Sequence, residues 1–167
     1  MTITPSARIA IDSDIFFFSL SSSRSDIRPG DVQRLLRHMS SAPKVEIFAS
    51  LSVIGESTIQ CLAGEQKQNV RHDLAELHEL IDFWAALDLK FLYPGELVID
   101  ACSRLAARYR QGSQKDYRLS DTDLVHLGYA LAYDMDYFLT TDRALKHYLP
   151  LRSRLNVVDI VGARDLF

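Results

Sequence analysis

Residues 7–14 read Ala7-Arg8-Ile9-Ala10-Ile11-Asp12-Ser13-Asp14, an apolar run of strand character that stops on two carboxylates. Ile15-Phe16-Phe17-Phe18 then resumes the apolar character, so Asp12 stands between two segments that seek the core. Helix capping accounts for such an acid only in part. A second passage repeats the pattern: Tyr137-Phe138-Leu139-Thr140-Thr141-Asp142 is again a short apolar strand closing on an acid. Strands that hand over to helices at an acidic residue are expected at the carboxyl edge of a parallel sheet, where open α/β folds bind their ligands.

Between these two passages helical and strand patterns alternate. Asp31 opens a predicted helix with Val32, Leu35, Leu36 and Met39 on one face, stopped before Pro43. Lys44 to Ser50 alternates Val45, Ile47 and Ala49 as a strand does, and Leu51 to Leu62 returns to helix. The stripe Leu74, Leu77, Leu80, Ile81, Trp84 and Leu87 predicts the longest helix over Glu65–Leu87. Leu89 to Leu92 reads as a strand ended by Tyr93-Pro94-Gly95, and a helix follows with Val98, Ala101, Leu105 and Tyr109 inward. Ser120 caps a helix through Leu124, Leu127 and Leu131; Met135–Leu139 is a buried strand, Asp142 opens a short helix ending near Pro150, and Asn156–Ile160 is the last strand. The alternation gives an α/β fold with a mainly parallel sheet. At 167 residues and 47% hydrophobic, residues 1–167 are expected to form a single domain with a sizeable core.

Composition excludes several function classes. The longest tight apolar run is far shorter than the ~20 residues that span a bilayer, and no export signal is read at the start, so a cytoplasmic protein without membrane contact is expected. Cys61 and Cys102 form no CxxC pair and no zinc-ligand spacing, which fits a reducing compartment. His72 and His78 are six apart and share no helix face. Phosphate-loop and dinucleotide-binding glycine patterns are absent. The formal charge of −3 becomes +3 once Asp12, Asp14, Glu56, Asp121, Asp123 and Asp142 are set aside. An acidic centre with a basic margin suits an anionic substrate held around divalent cations.

Those six acids are the candidate site. Hard cations such as Mg2+ and Mn2+ choose oxygen ligands, and two of them ~4 Å apart can activate water and stabilise the leaving oxygen in phosphodiester cleavage. Without a cation, two carboxylates ~4 Å apart repel by roughly 4 kcal/mol at an effective dielectric of 20. Each acid also has a purely structural account. Asp123 completes a capping box with Ser120, Asp142 caps the helix after it, and Asp121 suits a helix dipole. Glu56 falls off the Leu51, Ile54, Thr58 stripe, which places it outward. His126, one turn after Asp123, fits a hydrogen-bonded structural histidine, while Phe16 to Phe18 and Trp84 fit the core.

Taken together, the motifs resemble those of PIN domains. Ile9-Ala10-Ile11-Asp12-Ser13-Asp14 is similar to the opening Asp-Thr-Asn signature, Ser52-Val53-Ile54-Gly55-Glu56 to the second acid, Asp123-Leu124-Val125-His126-Leu127-Gly128-Tyr129-Ala130-Leu131 to the Asp-Ala-x-Ile-Ala-x-x-Ala-Leu helix, and Phe138-Leu139-Thr140-Thr141-Asp142 to the final Thr-x-Asp. The resemblance implies a three-layer α/β/α fold with a mainly parallel five-stranded sheet ordered 3-2-1-4-5. It further implies a Mg2+- or Mn2+-dependent ribonuclease, with Asp12, Glu56, Asp123 and Asp142 as catalytic metal ligands and Asp14 and Asp121 as further candidates. Many members are toxins of VapBC toxin-antitoxin pairs, so an antitoxin partner and a homo-oligomer are expected beside the RNA substrate. Asp14 stands where the family has Asn and Ser13 where it has Thr, which adds a charge to the first motif. Arg104, Arg108, Arg110 and Arg118, with Lys115 nearby, form the basic margin expected to hold phosphates, and Arg143 and Lys146, just after Asp142, are expected to bind RNA closer to the reacting group.

Two rival readings stand beside this one. Asp12-Ser13-Asp14 also imitates the Asp-x-Asp of haloacid dehalogenase-like phosphatases, with Asp12 as nucleophile and Asp14 as acid and base. A catalytically inactive PIN-like module that binds RNA or protein is the other.

Overall fold

β-strand β1 (Ala7–Ile11) lies at the centre of a five-stranded sheet because its Ile9, Ala10 and Ile11 need cover on both faces. The computed structural model describes residues 6–20, 28–67, 73–111, 120–150 and 152–167. Parallel partners flank β1: β2 (Val45–Ser50), with Ile9 opposite Ile47, and β4 (Tyr137–Leu139), with Ile11 opposite Leu139. β3 (Lys90–Leu92) pairs with β2, and β5 (Asn156–Val158) with β4, both parallel. The order is therefore β3-β2-β1-β4-β5, which the PIN resemblance implies.

Side chains alternate across a strand, and two cores result. Ile9 and Ile11 face one cluster with α1 (Ser13–Leu20), α2 (Pro29–Ser41), α3 (Ser52–Lys67), α4 (Leu74–Ala86) and α7 (Ile160–Leu166). Ala10 faces the other, where Phe48 and Phe138 meet α5 (Glu96–Gln111) and α6 (Asp121–Ala132). The sheet lies between two helical layers. α5 and α6 approach closely at Gly128, where any Cβ would overlap Cys102 Sγ.

Helix ends follow local chemistry. Pro29 occupies the first turn of α2, where its missing N–H costs nothing. α4 and α6 end alike, on a left-handed aspartate: Asp88 has φ 50° and Asp134 φ 54°. Leu89 N donates to Trp84 O and Asp88 N to Ala85 O, while Met135 N donates to Ala130 O and Asp134 N to Leu131 O. Both are Schellman closures with Asp in the position that usually takes Gly. Each turns the chain directly into the next strand.

Three sequence expectations need correction. Glu65–Leu87 is not one helix: residues to Lys67 belong to α3, and α4 starts afresh where extended Asp73 accepts a bond from Glu76 N. Its buried face carries Leu80, Phe83 and Trp84, whereas Leu74 and Ile81 are exposed. The last strand stops at Val158 because Asp159 caps a further helix, α7, through Gly162 N. Finally, the turn after Asp142 is a 3-10 helix, Arg143–Tyr148.

Candidate active site at the carboxyl edge

Asp12 leaves β1 still paired, its N–H donating to Leu139 O at 2.9 Å. The carboxylate is 2% exposed. Oδ1 accepts from Ser13 N at 2.8 Å, and Oδ2 accepts from the Thr140 hydroxyl at 2.6 Å. The same Thr140 oxygen accepts from Asp142 N at 3.1 Å, so one hydroxyl joins the acids that follow two neighbouring strands. Burial raises the Asp12 pKa from 3.8 to about 6. Asp14 and Asp123 push it the same way, while His126 and the Thr140 bond oppose them.

Glu56 reaches the site from α3. Its Oε2 lies 2.8 Å from His126 Nε2, and its Oε1 accepts from Gln60 Nε2 at 3.0 Å. His126, on α6, is buried, with Nδ1 at 2.5 Å from Ser50 Oγ and 3.2 Å from Ser52 Oγ. With Nε2–H donating to Glu56, Nδ1 can accept from the Ser50 hydroxyl, so the ring bridges α3 and the end of β2. Burial pushes Glu56 up, yet the bonds from His126, Ser13 and Gln60 outweigh it and hold the group below its usual value. Glu56 is thus half-buried rather than outward, because His126 supplies a partner that helical periodicity does not reveal.

Asp123 closes the capping box of α6. Oδ2 accepts from Ser120 Oγ at 2.7 Å and Ser120 N at 3.3 Å, and Ser120 Oγ accepts from Asp123 N at 3.1 Å. Oδ1 has no protein donor among the described residues. Asp14, in the first turn of α1, is exposed as a residue, but the atoms around its carboxyl displace enough water to raise its pKa, and Asp123 and Glu56 raise it further. Asp12, Asp14, Glu56, Asp123 and His126 therefore share one electrostatic neighbourhood. Asp142 joins it through Thr140 and is half-buried; Asp121 is exposed at the start of α6.

All-oxygen donors suit Mg2+ or Mn2+, and a cation would favour the ionised form of Asp12 and Asp14, which burial first and the neighbouring acids second disfavour. The spacing is wider than a closed coordination shell. Among the described residues, no three of His, Cys, Asp and Glu are gathered closely enough to hold one ion directly. Mg2+ typically takes one or two carboxylates and keeps several waters, which a looser arrangement accommodates.

The basic residues are divided. Arg104 and Arg108 lie on exposed α5 positions near Asp134 and Met135, which precede β4, whereas Asp12 and Asp142 follow the other ends of β1 and β4. Lys146 is exposed on the 3-10 helix after Asp142. Lys115, Arg118 and the side chains of Arg110 and Arg143 lie outside the described residues. Ser50 and Ser52 are site residues that sequence reading missed; their only signal was polarity at the end of an apolar strand.

No protein-family model and no curated protein matches the chain. Similarity lies in solved structures. VapBC2 from Rickettsia felis, bound to a DNA fragment from its promoter, superimposes with TM-score 0.66 at 13% identity over 91% of this chain and 98% of that one. VapBC-1 from nontypeable Haemophilus influenzae gives TM-score 0.64 at 12% identity, covering 92% and 98%. VapC20 from Mycobacterium tuberculosis, a Sarcin-Ricin loop cleaving toxin, gives 0.53 at 15%, covering 83% and 93%. The chain has the fold of these VapC toxins, the PIN fold.

Proposed function

We propose that this chain is a metal-dependent endoribonuclease of the PIN type, acting as the toxin of a toxin-antitoxin pair. Asp12 carries the reading: a carboxylate at the end of the central strand, raised to about 6 by burial with Asp14 and Asp123 adding to it, is an arrangement that a cation stabilises. The fold shared with VapC toxins, among them one that cleaves the Sarcin-Ricin loop, supports RNA as the substrate and an antitoxin as the partner.

One or two of Asp12, Asp123 and Asp142 would hold Mg2+ or Mn2+ directly, and the others, with Glu56 and Asp14, would accept from its bound waters. When bound, the metal supplies an activated water and charge stabilisation at the scissile phosphate. Thr140 and Ser13 fix the Asp12 carboxylate in one orientation. His126 and Gln60 hold the two oxygens of Glu56. Ser120 takes one Asp123 oxygen and leaves the other without a protein donor among the described residues. Such preorganisation avoids reorganisation during the reaction.

The test is incubation of purified protein with an RNA pool that includes the Sarcin-Ricin loop, with Mg2+, with Mn2+ and with EDTA. Metal-dependent internal cleavage that Asp12→Asn abolishes is the expected result. Cleavage that persists in EDTA, or none with any divalent ion, refutes it.

A further inference from the structure

At the opposite edge of the sheet from the acids, beside the chain entering β4 and β5, α5 and α6 flank a cavity of about 720 Å³. Its floor is aliphatic, built from Leu105, Ala130, Met135 and Leu155 of the second core. Four guanidinium side chains line it: Arg104, Arg108, Arg152 and Arg154. Asp134 is the one acid among the lining residues. Arg104 is paired with Asp100, one turn back on α5. Arg108, Arg152 and Arg154 are exposed, and none is ion-paired among the described residues. Three arginines without an ion-pair partner among the described residues, faced by Asp134, are a local positive excess on a chain of net charge −3.

We infer that this cleft is a second contact for the RNA substrate, gripping backbone phosphates while the acids at the other edge act on the scissile bond; the inference rests on the ribonuclease reading above. Arginine forks match phosphate oxygens in bidentate geometry. Among the described residues no aromatic side chain lines the cleft, which leaves arginine–phosphate contacts as the available grip. The grip is accordingly on charge, without sequence preference. Only an RNA long enough to reach both ends of β4 engages both sites.

The test is fluorescence anisotropy in EDTA, with a labelled single-stranded RNA of about 30 nucleotides and one of about 6, titrated against full-length protein over a series of salt concentrations. Three single-strand phosphate contacts predict that R108Q/R152Q/R154Q lowers the slope of log affinity against log salt by about 2 and weakens the long RNA at least about tenfold. The short RNA, which the cleft can hold alone, should show the same drop in slope at lower overall affinity. R108K/R152K/R154K, which keeps the charges, should retain the slope. Asp134→Asn removes the opposing charge from a left-handed position that Asn tolerates, and should tighten the long RNA. An unaltered slope in a Gln variant that melts like wild type overturns the inference. Loss of binding to a glutamate-rich peptide, with RNA unaffected, also overturns it and assigns the cleft to a protein partner. If wild type cleaves short RNA but the slope does not move, the cleft fails and the nuclease reading stands. If long RNA binds through the arginines and nothing is cleaved, the nuclease reading fails alone.

Discussion

Replacing Asp12 by Asn tests whether the fold carries an ionised carboxylate that burial, and to a lesser degree the acids around it, disfavour. A carboxyl that titrates near 6 in the folded state instead of 3.8 costs the metal-free protein about 3 kcal/mol at neutral pH, at 1.36 kcal/mol per pH unit. The sign follows from linkage: the folded state binds this proton more tightly, so the apo protein loses stability as pH rises from 3.8 to about 6 and levels off above. Asn keeps the acceptor for Ser13 N. It also puts a second N–H against a Thr140 oxygen that already serves Asp142 N, and leaves the Thr140 hydroxyl without its acceptor, a loss of about 1 kcal/mol. The net is a gain of about 2 kcal/mol, or roughly 4–8 °C in melting temperature for a chain of this size. Thermal unfolding in EDTA should show that gain near pH 7.5. Near pH 4 the variant should melt level with wild type or slightly below. Mn2+ near pH 7.5 should raise the wild-type melting temperature and leave the variant almost unmoved, because an ion that binds only the folded state stabilises by mass action. A shift that is the same at both pH values, or a loss at both, refutes the electrostatic account of Asp12.

His126→Ala removes a hydrogen-bond partner of half-buried Glu56; stability should fall by about 1–3 kcal/mol in denaturant titration, and Mn2+ affinity by 10–100-fold in calorimetry, as for other lost supports of metal ligands. Asp142→Asn removes a charge from the acidic edge, and should reduce both RNA cleavage and the Mn2+-induced melting shift while its N–H to Thr140 is retained; a full-size shift excludes Asp142 from the ion site. Gly128→Ala should destabilise by about 1–3 kcal/mol through overlap with Cys102 Sγ, and Gly128→Ala/Cys102→Ala should recover most of it, which a double-mutant cycle measures.

Much of the fold was legible because its signals are local. The apolar runs ending at Ile11 and Leu139, and the capping pattern at Ser120, each declare their structure within a few residues. The helix break before α4 was less visible: a hydrophobic period counts turns but does not register that Asp73 restarts the backbone hydrogen bonding. The face of α4 was misjudged by the same means, since Phe83 and Ile81 are equally apolar and only the neighbouring helices decide which is covered. At the site, the acids could be named from sequence but not brought together. Thr140 and Asp12 are 128 residues apart, and their contact exists because β4 pairs with β1. His126 and Ser50, 76 apart, meet only because α6 crosses the end of β2.

The capping box at Ser120 and Asp123 has a consequence for descendants of this protein. One carboxylate there serves both the start of α6 and the acidic edge. A lineage that lost the chemistry proposed for this edge would still be selected to keep that pair, because losing it frays the helix. Asp12 is the reverse case: its ionised carboxyl burdens the metal-free fold, so relaxed selection would discard it early. A relative that retains Ser120 and Asp123 but carries a neutral residue at position 12 is thus best read as an inherited scaffold whose chemistry has been retired.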